Sequence, residues 1–149
     1  MTERSVTHGT FTIDRSYPAT PVRVFAAFTD ANAKARWFCD PDDPQTDGYE
    51  LDFRVGGGER FVSKHESATY RYESRYCDIV PDQRIVLTYE MYADDARMSV
   101  SVATVEITPD GAGAHLTYTE LGAFLDGIDK SEYREHGTRE LLDRLGETL

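Results

Sequence analysis

Residues 84–107 read RIVLTYEMYADDARMSVSVATVEI. From Ile85 to Met91 every second residue is apolar, so these side chains share one face of a strand. Asp94-Asp95 is typical of a turn, and a second alternating run follows it. The pattern predicts two antiparallel strands joined by a short turn.

The second of these runs changes phase along its length. Met98, Val100 and Val102 lie on one face of a regular strand, whereas Val105 and Ile107 lie on the other. We therefore expect the apolar face to switch sides between Val102 and Val105.

Alternating runs continue on both sides of this pair. The run from Ala68 to Val80 reverses phase after Tyr76, which predicts a bulge there. Turns are predicted at Pro81-Asp82 and at Pro109-Asp110-Gly111. Further strands are predicted at 11–17, 49–55, 59–62 and 114–118. Short connections favour an antiparallel meander, since parallel pairing needs a long crossover.

Three helices complete the prediction. Thr20 is a suitable N-cap, with Pro21 in the first helical position, and Asp30 is expected to cap a second short helix. A long helix begins near Ser131, and its apolar stripe consists of Tyr133, Gly137, Leu141, Leu145, Leu142 and Leu149. Its solvent face is predicted to carry Arg134, Glu135, Arg139, Asp143 and Arg144.

These elements predict an α+β fold of one domain over residues 1–149. A curved antiparallel sheet of about six to seven strands would surround the long C-terminal helix. The helix stripe needs an apolar partner, and the concave face of the sheet is the largest apolar surface that the pattern provides.

Charge and composition exclude several classes of function. The net charge of -11 disfavours binding to nucleic acid or to anionic membranes. No apolar segment is long enough for membrane insertion, and the polar N-terminus does not resemble a signal peptide, so we expect a cytoplasmic protein.

Cys39 and Cys77 do not match a metal-ligand spacing. The acidic segment 40–47 fails the EF-hand pattern because Gln45 replaces the required glycine.

Several motifs resemble those of START-like (SRPBCC) domains, which have the helix-grip fold. The segments that carry the resemblance are YPATPVRVFAAFTD at 17–30, FRVGGG at 53–58, YCDIVP at 76–81, TYTE at 117–120 and HGTRELLDRL at 136–145. They are most similar to bacterial homologues of the C-terminal domain of the heat-shock-protein-90 ATPase activator. Many relatives have Gly-Trp where this chain has Gly137-Thr138.

The resemblance implies a pocket between the sheet and the last helix. Its candidate lining residues are Trp37, Phe38, Phe53, Phe61, Tyr72, Tyr89, Met91, Glu120, Phe124, Tyr133, His136 and Gly137. The aromatic members could instead be ordinary core residues. We predict no catalytic residue, no metal site and no cofactor.

The leading hypothesis is a small-molecule binding domain for an apolar or amphipathic ligand. One alternative is a cyclase- or hydrolase-like enzyme that uses His136 with Glu120 or Tyr133 in the pocket. Another is a chaperone-interaction module, as the resemblance implies. Exposed sheet edges leave a homodimer possible.

Overall fold

The computed structural model describes residues 4–39, 46–65 and 67–149. Residues 40–45, which make up most of the acidic segment that fails the EF-hand pattern, lie outside the described residues. The chain forms seven strands and three helices in the described part. In order they are β1 (Val6–Tyr17), α1 (Pro21–Thr29), α2 (Ala31–Phe38), β2 (Thr46–Leu51), β3 (Gly58–His65), β4 (Ala68–Val80), β5 (Arg84–Ala93), β6 (Ala96–Asp110), β7 (Gly113–Leu125) and α3 (Ser131–Thr148).

The strands form one curved antiparallel sheet with the order β1-β7-β6-β5-β4-β3-β2. Strands β2 to β7 follow one another as a meander, and β1 closes the far side by pairing with β7. This arrangement, with α3 packed on the sheet and two short helices after β1, is the predicted α+β helix-grip fold.

The predicted bulge and the turns at Pro81-Asp82 and Asp94-Asp95 are confirmed, whereas the third turn lies at residues 111–112 because β6 continues through Asp110. Asp82 and Asp94 adopt positive φ angles of 65° and 53°, which Asp tolerates better than most residues. The register between β4 and β5 shifts between Tyr76 and Asp78, so Cys77 is the extra residue of the bulge.

The predicted caps of the two short helices are also confirmed. The Arg23 amide donates to the Thr20 hydroxyl at 3.3 Å, and the Ala33 amide donates to Asp30 Oδ2 at 3.0 Å. Thr20 and Asp30 therefore set the start of α1 and of α2. Along the chain, the two helices connect β1 to β2, which are the two edge strands of the sheet.

The prediction for the strand at 49–55 is wrong at its end. β2 stops at Leu51, and the Arg54 and Gly57 amides donate to the Asp52 and Arg54 carbonyls in a tight turn. Gly56 has a φ of +87°, a conformation that favours glycine. Val55 therefore lies within this turn rather than in the strand, and its side chain is exposed.

The predicted phase of β6 is wrong as well. Ser99, Ser101 and Ala103 are buried, whereas Val100 and Val102 are exposed on the outer face. From Ser99 to Asp110, β6 pairs with β7 without a register shift, so the inward face stays constant and includes the two serines. The irregularity lies earlier, where the β5–β6 register shifts between Met91 and Tyr92.

The inward face of α3 also differs from the prediction. Its buried side chains are Thr138, Leu142 and Leu145, and the Arg134 side chain, predicted to face solvent, is only 11% exposed. Tyr133 is 64% exposed. The buried face of α3 is thus centred about one residue later in the chain than the predicted apolar stripe. The reason is that Arg134 has buried partners, which the sequence pattern cannot reveal.

The second half of α3 fixes the helix on the sheet. Leu142 and Leu145 belong to the main core cluster, together with Ile13 of β1 and Leu116 of β7. The Tyr17 hydroxyl donates to the Leu142 carbonyl at 2.7 Å.

Among the helices of the described segments, none has the length and apolar character needed to cross a bilayer.

Replacing Leu142 with Ala should lower the free energy of unfolding by roughly 2–5 kcal/mol, because the cavity that remains at this buried site cannot fully collapse. The matched control is Leu121→Ala on the exposed outer face, which should cost less than about 0.5 kcal/mol. Urea denaturation of both variants measures the difference, and equal costs would contradict the described position of α3.

Candidate functional site

A cavity of about 400 Å³ lies between α3, α2 and the inner face of the sheet. Most of its wall is apolar or aromatic. These lining residues are Phe28, Trp37, Phe38, Tyr72, Tyr76, Ile85, Leu87, Tyr89, Met91, Val105, Tyr118, Leu141 and Leu142. The other lining residues are Lys34, Asp129, Tyr133, Arg134, Gly137, Thr138, Glu140 and Arg144.

Small residues in the middle of α3 leave this space open. Gly137 and Thr138 occupy the turn between Arg134 and Leu141, which all line the cavity. A Cβ atom added to Gly137 would meet no heavy atom within 4 Å. The helix therefore contacts the core with its second half and keeps a gap beneath its middle.

Aromatic rings form a continuous wall on the sheet side. The ring centroids of Tyr72 and Tyr89 lie 5.0 Å apart, and Phe38 of α2 meets Tyr72 edge-on at 5.1 Å. Such ring pairs stabilise one another beyond their buried area. The wall is consequently held in place by its own packing.

Arg134 and Glu120 form a buried polar cluster at one side of the cavity. Glu120 is fully buried, and its two oxygens accept hydrogen bonds from the Tyr89 and Tyr118 hydroxyls, both at 2.7 Å. Arg134 donates to the Tyr89 hydroxyl at 2.8 Å and to Ser99 Oγ at 2.9 Å. Its Nη1 lies 3.6 Å from Glu120, which balances its charge.

Asp129 completes this cluster near the start of α3. The Arg134 guanidinium donates to Asp129 Oδ2 at 3.0 Å, and it also lies over the Phe124 ring at 5.2 Å. Three of its five N–H groups thus have hydrogen-bond partners.

Lys34 and Glu59 form a second buried pair on the α2 side. The Lys34 ammonium donates to Glu59 Oε1 at 2.9 Å, and both side chains are almost wholly buried. The Tyr49 hydroxyl donates to the other Glu59 oxygen at 2.5 Å. The pair joins α2 to strands β2 and β3.

Tyrosine hydroxyls around the cavity stay protonated. Burial raises the pKa of Tyr89, and the Glu120 charge raises it further. Burial also raises the pKa of Tyr72 and of Tyr118. These groups therefore act as hydrogen-bond donors and are poor acids near neutral pH.

Seven of the twelve candidate residues predicted from the sequence line the cavity. They are Trp37, Phe38, Tyr72, Tyr89, Met91, Tyr133 and Gly137. Tyr133, being largely exposed, belongs to the rim. That these residues bind a ligand stays a prediction.

The other five candidates do not line it. Phe53 packs behind Tyr76 with ring centroids 4.8 Å apart, and Phe61 stacks behind Tyr72 at 5.5 Å. Phe124 lies under Arg134, and Glu120 lies behind the tyrosines that bind it. His136 is on the outer face of α3, where its side chain is 77% exposed and pairs with Glu140 at 3.0 Å.

Sequence reasoning misses Lys34 and Arg134, which both line the cavity. Thr138, at the position where many relatives have Trp, also lines it, although it is not among the twelve candidates. Charged residues on helices usually face solvent, so the sequence pattern indicates no inward role for Lys34 or Arg134. A signal was present in α3, since Arg134, Thr138, Leu142 and Leu145 also follow a helical spacing.

Among the described residues, no group of three or more His, Cys, Asp or Glu side chains could hold a metal ion.

Residues 18–149 match the family model described as activator of Hsp90 ATPase homolog 1-like protein. A solved protein from Rhizobium loti is 49% identical, with 97% of this chain and 99% of that chain covered and a TM-score of 0.92. One from Rhizobium leguminosarum is 37% identical, with 99% and 97% covered and a TM-score of 0.93. A third, from Chromobacterium violaceum, is 27% identical over 93% and 94%, with a TM-score of 0.72. No curated protein matches the chain.

Replacing Glu120 with Gln should lower the free energy of unfolding by roughly 3 kcal/mol, because the buried Arg134 guanidinium would lose its fully buried carboxylate neighbour and keep only Asp129 to balance its charge. Chemical denaturation at neutral pH measures this cost.

The matched control is Glu135→Gln, which removes the carboxylate of a partly exposed pair with Arg139 at 2.7 Å. That change should cost less than about 1 kcal/mol. If both substitutions cost the same, the Glu120 cluster does not have the described burial.

Alkaline pH should destabilise the fold. The buried tyrosines would ionise near pH 10 in the unfolded chain but stay protonated in the folded one, since their folded pKa values are raised. Above about pH 10 the folded state therefore binds more protons, and the free energy of unfolding falls as pH rises. Urea denaturation between pH 8 and pH 11 tests this sign, and a constant or rising stability would contradict it.

Proposed function

Because the chain belongs to the family of activator of Hsp90 ATPase homolog 1-like proteins, we propose that it binds one small apolar or amphipathic molecule in the cavity beneath α3. Family membership supports a domain that binds a ligand. That this ligand is apolar or amphipathic is part of the proposal. The observation that carries it is the largely apolar cavity of about 400 Å³.

The size of the cavity supports this proposal. Sites for small molecules usually measure about 300–1,000 Å³, so one ligand of modest size would fit. A ligand that buries about 300 Å² of apolar surface would gain roughly 7 kcal/mol, against association costs of about 4 kcal/mol or more. Apolar contact alone thus gives weak binding, and hydrogen bonds from the wall must add affinity.

The distribution of polar groups supports an amphipathic ligand. Aromatic and aliphatic side chains cover the sheet side, whereas Asp129, Tyr133, Glu140 and Arg144 contribute polar or charged groups on the α3 side. A molecule with an apolar body and a polar end matches both surfaces.

Binding is favoured over catalysis by the positions of the residues proposed for an enzyme. His136 is on the outer face of α3, and Glu120 is already bound by two tyrosines and faces Arg134. The two side chains are therefore not assembled as an acid–base pair.

The chaperone-interaction alternative stays a prediction, and stoichiometric recovery of a bacterial Hsp90 by this chain in a pull-down would favour it.

Replacing Thr138 with Trp should weaken ligand binding at least tenfold, since Thr138 is buried on the cavity wall and the larger side chain would occupy the free space. The measurement is a thermal-shift screen of lipids, polyketides and aromatic acids on the unchanged protein, followed by calorimetric titration of the best ligand into both proteins.

The matched control is His136→Trp, which adds the same ring to the outer face of the same helix. It should leave affinity unchanged within about twofold. Equal affinity for the unchanged protein and the Thr138 variant would place the ligand elsewhere, and the absence of any ligand in a broad screen would contradict the proposed function.

A further inference from the structure

Lys34 is an unusual residue for the wall of an apolar cavity. It lies on α2, its side chain is 5% exposed, and it lines the cavity. Its ammonium group lies over the Phe38 ring at 4.2 Å and over the Trp37 ring at 5.3 Å. The charge is thus held among aromatic rings and away from bulk water.

The ammonium has unused hydrogen-bonding capacity. It carries three N–H donors, and in the described part of the chain its single hydrogen-bond partner is Glu59, at 2.9 Å. Aromatic faces attract the cation without accepting hydrogen bonds as oxygen does. A buried donor without an oxygen partner is costly, so a further acceptor at this place would be favourable.

Arg134, the other deeply buried cation of the wall, differs in this respect. It already donates to Tyr89, Ser99 and Asp129. Lys34 is therefore the better candidate to anchor a ligand.

The charge of the acceptor follows from the existing pair. Glu59 already balances Lys34, and the Tyr49 hydroxyl fixes that carboxylate in place. A carboxylate on the ligand would put two anions beside one cation in a dry site, and an amine would add a second cation. A neutral oxygen adds no charge.

We propose that Lys34 donates a hydrogen bond to a neutral carbonyl oxygen of the ligand, so that the site selects apolar ketones, esters or amides over acids, amines and hydrocarbons of the same shape. This inference rests on the proposed function, since it requires that the cavity admits a ligand. It assigns Lys34 as the residue that sets ligand chemistry.

The test compares two probes that differ only at the carbonyl group. Benzylacetone carries a ketone at the position where butylbenzene has a methylene group. Each is titrated into the unchanged protein and into the double variant Lys34→Met/Glu59→Gln, in which both charges are removed and Tyr49 keeps an acceptor. Phenylbutyrate serves as the acidic probe.

Benzylacetone should bind the double variant about tenfold more weakly than the unchanged protein, the loss expected for a hydrogen bond from a charged donor. Butylbenzene should bind both proteins equally within about twofold. The control Arg139→Met/Glu135→Gln removes the same charges from a more exposed pair on α3 and should change neither affinity. Circular dichroism checks that each variant is folded.

The other outcomes separate the two proposals. If both probes bind but lose the same affinity in the double variant, or lose none, Lys34 is not the anchor. If phenylbutyrate binds the unchanged protein more tightly than benzylacetone, the neutral-oxygen class is wrong. If neither benzylacetone nor butylbenzene binds and the wider screen is also negative, the proposed function itself fails.

Discussion

The buried contact between Arg134 of α3 and Glu120 of β7 is the constraint on which the site depends. It sets which face of α3 meets the sheet, because the guanidinium must reach Glu120 and Ser99. Leu142 and Leu145 then follow on the same face and enter the core. With both ends of the inward face fixed, the small residues Gly137 and Thr138 span the gap between them, and the cavity is the space that they leave open.

The chemistry of the cavity follows from the same arrangement. Each buried cation of the wall has a carboxylate bound to it: Glu120 beside Arg134, and Glu59 beside Lys34. Tyrosine hydroxyls donate hydrogen bonds to both carboxylates. Each buried cation is therefore already paired within the protein, and the wall around Lys34 offers a ligand apolar surface with a few N–H and O–H donors. Such a wall suits a neutral molecule that carries an acceptor oxygen.

The sequence predicted the fold well and the site only in part. Period-two runs, Asp turns and the phase reversal at Tyr76 are local signals, and the structure confirms the bulge, the Asp82 and Asp94 turns and most of the strands, but neither the end of the 49–55 strand nor the phase of β6. The local pattern does not reveal that Arg134 and Lys34 face inward, since each is buried together with partners far away in the chain. Ser99 lies 35 residues before Arg134, and Glu59 lies 25 residues after Lys34. Burial of a charge depends on such distant partners, which local patterns do not contain.

The central claim is that a small molecule enters the space beneath α3. Methyl-labelled NMR during titration with the tightest-binding molecule of the thermal-shift screen tests it most directly, because Met91, Leu141 and Val105 line the cavity, whereas Val100 and Val102 point outward from the sheet. The cavity predicts saturable shifts at the three lining residues and none at the two outer valines. Shifts confined to the outer valines, or no saturable shift at any methyl group, would contradict it.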